Sequence, residues 1–155
     1  MNASKPILIA YDGSEGAKAA VEAAWRLFPD RRAVVVSVWH PAADISAASL
    51  IAIPAGVATS AYEALDKESE RQATEKAQEG ADAAKDAGFD ATPSALRSNG
   101  KVWATIVAAA DQEDAEAIIV GSRGLSAVKS VLLCSVANGV VHHSTRPVVV
   151  IPADA

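Results

Sequence analysis

The residues with the most chemistry to offer lie in one stretch near the C-terminus, "GSRGLSAVKSVLLCSV" (121–136), directly after the apolar run "EAIIV". Gly121 and Gly124 lack side chains, so backbone N–H groups there can approach an anion closely. Ser135 opens a helical pattern, and a helix N-terminus carries partial positive charge and unsatisfied N–H donors. Phosphate is the guest that suits such a loop, although the same glycines also suit a tight turn that binds nothing. Asp12, in "AYDGS" (10–14), follows another apolar run. Its carboxylate can accept hydrogen bonds from ribose hydroxyls or a nucleobase amine, or can make a turn with Gly13 and cap near Ser14.

Other chemistries find less support. The dinucleotide fingerprint G-x-G-x-x-G is absent, and "GLSAVKS" (124–130) lacks the glycine that precedes the lysine of a P-loop. His142 and His143 are adjacent, so on a helix they point about 100° apart and do not chelate one metal from one face. Near a helix C-terminus they favour the dipole instead. His40 is isolated and reads as a rim residue. No nucleophile–base pair, paired carboxylates or Cys/His cluster occurs at recognisable spacing, so the residues make only a weak case for an enzyme.

The elements that must position these groups follow from apolar patterning. "PILIA" (6–10), "AVVVSV" (33–38), "EAIIV" (116–120) and "PVVVI" (147–151) are continuous and mostly β-branched, as in strands buried on both faces. "ATPSALR" (91–97) alternates and contains Pro93, which places it at a sheet edge. Helical patterns fill 14–28, 60–87, 101–111 and 135–143, with Ser14 as an N-cap, Gly88 as a C-terminal cap and Glu63 spaced to pair with Lys67. Strands alternating with helices imply a parallel sheet with helices on both faces, in a single domain spanning 1–155. Residues 41–60 read as a long loop able to cover a ligand. In such sheets ligands bind beyond the carboxyl ends of the strands, where "AYDGS" and "VGSRG" both fall.

Composition narrows the partners. The 155 residues are 50% hydrophobic with 5% aromatics and a formal net charge of −5, which gives no basic field for nucleic acid. One cysteine excludes an intramolecular disulfide and fits a reducing, cytoplasmic setting. No apolar run approaches the roughly 20 residues that span a bilayer, and the N-terminus has no signal-peptide pattern.

With these residues in view, the chain resembles the universal stress protein family, through "ILIAYDGSEGAKAAVEAAWRL" and "IIVGSRGLSAVKSVLLCSVANGVVHHSTRPVVVIP". The nucleotide-binding branch of that family has a glycine, two residues, a glycine, nine residues, then glycine and serine or threonine. Gly121, Gly124 and Ser135 match, while Cys134 occupies the third glycine. The resemblance implies a Rossmann-like five-stranded sheet in the order 3-2-1-4-5. It also implies ATP, ADP or AMP as ligand, with Mg2+ held only through the phosphates, and a role in stress response with at most slow hydrolysis or autophosphorylation.

By the same resemblance, Asp12 meets the ribose or adenine, Ala10 and Val38 flank the adenine, and Gly121, Ser122, Arg123, Gly124, Ser135 and Val136 surround the phosphates. A homodimer is implied too, and residues 147–151 support it independently, because an apolar edge strand invites pairing with another chain. Cys134 leaves two alternatives. At positive φ a cysteine costs about 1–2 kcal/mol; at negative φ the strain vanishes, but the added thiol crowds the phosphates. A thiol at a helix N-terminus is also a candidate for redox reactivity. The rival to nucleotide binding is a dimer of the same fold with an empty pocket, acting through protein partners.

Overall fold

The computed structural model describes residues 4–44, 54–123 and 133–152. Five strands, β1 (Ile7–Ala10), β2 (Arg32–Trp39), β3 (Asp90–Arg97), β4 (Ala117–Gly121) and β5 (Val148–Ile151), form one sheet in the order β3-β2-β1-β4-β5. Every pairing is parallel, with Leu8 opposite both Val34 and Ile118. The expected order is therefore the observed one. Pro93 does lie on an edge strand, where its missing N–H costs no ladder bond.

Among the described residues, four helices longer than one turn cover the two faces: α1 (Glu15–Leu27), α2 (Ala55–Ala87), α3 (Val102–Gln112) and α4 (Ser135–His143). Because strand side chains alternate, Ile7, Ile9, Val35 and Ile119 pack against α1 and α2. Leu8, Val34, Val36, Ile118 and Val120 pack against α3 and α4. Both faces of the central strands are thus dry, which explains the unbroken apolar runs. Ser14 caps α1, its Oγ accepting the Ala17 N–H at 3.1 Å. Gly88 ends α2 at φ +121°, its N–H donating to the Ala84 and Lys85 carbonyls. Among the described residues, no helix is long and apolar enough to cross a membrane.

Helix α2 departs from the sequence reading. It starts at Ala55, so 55–60 is helix rather than loop, and a helical turn covers 42–44. Asp66 joins the two, its Oδ1 accepting the Ala42 N–H at 2.7 Å. Residues 45–53, the centre of the expected covering loop, lie outside the described residues. Glu63 and Lys67 form no ion pair; the pairs on this helix join Arg71 to Glu68 and Glu75, and Lys85 to Asp82.

Candidate functional site

The carboxyl ends of β1, β2 and β4 open into one cavity of about 580 Å³, within the range of small-molecule sites. Ala10, Val36, Val38 and Val120 supply apolar wall from the sheet, and Val102 and Ile106 continue it from α3. The polar part of the wall includes Asp12 and Ser14 after β1, Arg123 after β4, and Ser135 at the start of α4. His40 stands at the same opening, as expected of a rim residue.

Of the residues singled out in the sequence, Ala10, Asp12, Val38, Gly121, Arg123, Cys134, Ser135 and Val136 line this cavity together. Ser122 does not: it is buried beside it, its N–H donating to the Ile151 carbonyl at 2.8 Å and its carbonyl accepting the Cys134 N–H at 2.7 Å. Ser122 therefore ties β5 to the start of α4 through its backbone. Gly124 lies outside the described residues. Asp12 makes the turn, its Oδ1 accepting the Ser14 N–H at 2.9 Å while Gly13 takes φ +82°.

Cys134 settles at φ −66°, ψ 162°, an extended conformation open to any L-residue, so it carries no left-handed strain. It is the N-cap of α4, and its Sγ accepts the Ala137 N–H at 3.4 Å. The thiol thus takes one of the donors of the first turn. The N–H groups of Ser135 and Val136, like those of any helix start, have no carbonyl within the helix to bond. Both residues line the cavity, so an anion there would meet free donors and the positive end of the helix.

Sequence reasoning missed the part of the site that comes from α2 and from the residue before Asp12. Tyr11 is buried, and its hydroxyl donates to Glu79 on α2 at 2.7 Å. Burial first, and then the bond to the Glu79 carboxylate, push the phenol well above its ordinary value of 10. Ser69, Gln72, Ala73 and Lys76 of α2 line the cavity as well. Their recurrence at 3–4 spacing was the available signal.

Comparison with known proteins decides the lineage. The model of the universal stress protein family matches residues 3–152. The chain belongs to the universal stress protein family. Among solved structures, hypothetical protein MJ0577 aligns with a TM-score of 0.77 at 24% identity, covering 97% of this chain and 96% of that one. The universal stress protein from Archaeoglobus fulgidus in complex with dAMP aligns at 0.67 and 23% identity, over 96% of this chain and 98% of that one. A universal stress protein family protein from Arabidopsis thaliana with AMP bound aligns at 0.63 and 15% identity, over 96% and 92%. These likenesses establish a shared Rossmann-like α/β fold. Comparison with curated proteins gives no match.

Proposed function

We propose that this universal stress protein binds an adenine nucleotide, ATP in the first place, across the carboxyl ends of β1 and β4, and acts in stress response as a homodimer. The observation that carries the reading is the two-sided wall of the cavity. The apolar side, with Ala10, Val36 and Val38, suits a flat base; the other brings Arg123 and the first turn of α4 to one end. Asp12, on the turn after β1, is placed to accept from the ribose. Ser135 and Val136 offer backbone N–H groups to the phosphates, and Mg2+ would be held through those phosphates. That relatives of the same fold were solved with dAMP and AMP supports the choice of base.

One observation favours the rival, a dimer with an empty pocket. The Cys134 thiol already occupies the Ala137 N–H, a donor a phosphate would otherwise use. Heat-denaturing the purified protein and chromatographing the supernatant separates the two, together with calorimetric titration of ATP with and without magnesium. Co-released adenine nucleotide, or saturable binding below millimolar, is the expected result. Neither release nor such binding would leave the empty-pocket reading in its place.

The homodimer seam proposed is residues 147–151. Among the described residues β5 is an edge strand bonded to β4 alone, and Val148, Val149 and Val150 are half-buried in the single chain. Pairing with a second copy would cover both the open ladder and this apolar edge.

A further inference from the structure

The α2 side of the cavity stands outside the glycine–serine pattern, and it carries a cation of its own. Over Ala73, Ala77, Gly80, Ala81 and Ala84 the helix shows small buried residues to the sheet, so the two backbones lie close. A Cβ on Gly80 would fall 2.7 Å from both the Tyr11 ring and Val35. That contact fixes the register of the helix. A helix between two parallel strands runs antiparallel to them, so Lys76, one turn before Gly80, stands one turn beyond Tyr11 towards the carboxyl edge. There it lines the cavity.

Of the three lysines on α2, Lys67 and Lys85 are exposed and Lys76 is half-buried. Lys85 has a carboxylate, Asp82, at 3.8 Å. Lys76 has no ion-pair partner among the described residues. The residue is half-buried and lines the cavity, and a long lysine stem lets its charge reach an anion held there. The cavity wall includes one carboxylate, Asp12, whose Oδ1 accepts the Ser14 N–H.

Arg123 follows β4, whereas α2 packs over β2 and β3. With β1 between them, the two walls are separated by two strand spacings, about 10 Å. The stems of lysine and arginine shorten that gap to the length of a short phosphate chain. The chain as a whole is negative, so this pair of opposed cations is a local feature of the site.

Resting on the nucleotide reading above, we infer that Lys76 grips the phosphate chain from the wall opposite Arg123, and so sets a preference for tri- and diphosphates over the monophosphate. The contact would be electrostatic and long-stemmed, since lysine presents a point charge rather than a fork.

The test is calorimetric titration of the wild type, Lys76→Met and Lys76→Arg with ATP, AMP, adenosine and inorganic triphosphate, each protein first checked by its melting curve. Met keeps the stem and removes the charge. The expected result is that Lys76→Met weakens ATP and triphosphate by about tenfold or more, the scale of one lost charge-assisted contact. Adenosine should be unchanged, and Lys76→Arg should retain most of the ATP affinity. Equal ATP affinity in wild type and Lys76→Met overturns the inference and leaves the nucleotide reading standing. So does a parallel loss for ATP and adenosine, which would mark a structural role. A wild type that takes none of the three adenine ligands refutes the nucleotide reading by itself. In that case triphosphate binding that depends on Lys76 still supports the anion grip, and its absence overturns that too.

Discussion

Replacing Cys134 with glycine, the residue that the resemblance to the nucleotide-binding branch implies here, should make the ligand-free protein less stable and its complex with ATP tighter. The backbone at 134 sits at φ −66°, so glycine relieves nothing there. It adds freedom to the unfolded chain, which costs about 0.4–1 kcal/mol. It also removes the Sγ acceptor that caps α4 at 3.4 Å, a weak bond worth a few tenths of a kcal/mol. The half-buried thiol packs against the α3–α4 side of the core, so a little apolar contact goes as well. The sum is about 1 kcal/mol, or about 2–4 °C in Tm for a chain of this size. Serine supplies a stronger cap and should raise Tm by about 1–2 °C, the gain in capping being offset in part by the lost sulfur contact.

Ligand reverses the order. Cys134→Gly frees the Ala137 N–H and clears the thiol from the cavity wall, so ATP should raise its Tm more than it raises that of the wild type. A tenfold gain in affinity adds about 1.4 kcal/mol at saturating ligand, which offsets the loss. Differential scanning calorimetry of wild type, Cys134→Gly and Cys134→Ser, with and without ATP, reads both effects. If the glycine variant without ligand melts at or above the wild type, the cysteine is strained and the cap argument is wrong. An ATP-induced shift of the same size in both proteins would show that the thiol is no obstacle to the phosphates.

The Tyr11–Glu79 bond predicts a pH dependence. The folded-state phenol is raised above its ordinary value of 10, so its contribution is complete below pH 10 and is lost as pH rises beyond it. Tyr11→Phe should cost about 1 kcal/mol near neutrality and show a shallower fall of Tm above pH 10; identical slopes in the two proteins would sink the assignment. Gly139→Ala should destabilise despite alanine's helix propensity. Its Cβ would lie 2.2 Å from Cγ and Cδ1 of Trp103, whose ring is stacked on His143 at 4.1 Å, and atoms so near the backbone cannot swing away. A net loss of about 1–2 kcal/mol with altered tryptophan emission is expected, and a higher Tm would contradict the packing. Light scattering at micromolar concentration should give twice the 15.9 kDa chain mass, whereas a monomer would remove the β5 seam.

The strands were legible because burial on both faces leaves no room for polar residues: Ile7, Leu8, Ile9, Ile118 and Ile119 are all fully buried. Their order was legible only through the family resemblance and Pro93, since apolar runs do not say which neighbour each takes. The start of α2 was hidden by Gly56, Val57 and Thr59, poor helix formers in the stretch where the helix begins. Much of the site was local, Asp12 and Ser14 on one turn and Cys134, Ser135 and Val136 at one helix start, and local groups could be read from spacing. Lys76 was passed over, because its 3–4 spacing with Ser69, Gln72 and Ala73 marks a shared face without saying what that face meets, and a lysine in a charged, alanine-rich helix looks solvated. Only the seating of Gly80 on Tyr11 turns it towards the cavity.

Gly121 and Gly16 have a packing role of their own beside the proposed phosphate site. A Cβ at Gly121 would come within 3.0 Å of the Gly16 backbone, and one at Gly16 within 2.6 Å of the Arg123 carbonyl oxygen. These two glycines let residues 121–123 lie directly against the start of α1, backbone on backbone, with neither requiring positive φ. Gly121 therefore seats the residues that directly follow β4, bringing Arg123 to the cavity beside Asp12 and Ser14. In the proposed complex, direct donation to the phosphates would fall to the start of α4, where the extended backbone at 134 accepts any side chain without left-handed strain. That extended backbone explains how a cysteine is accommodated at the helix start without left-handed strain. It also locates what the side chain at 134 changes, which is the occupancy of one N–H donor.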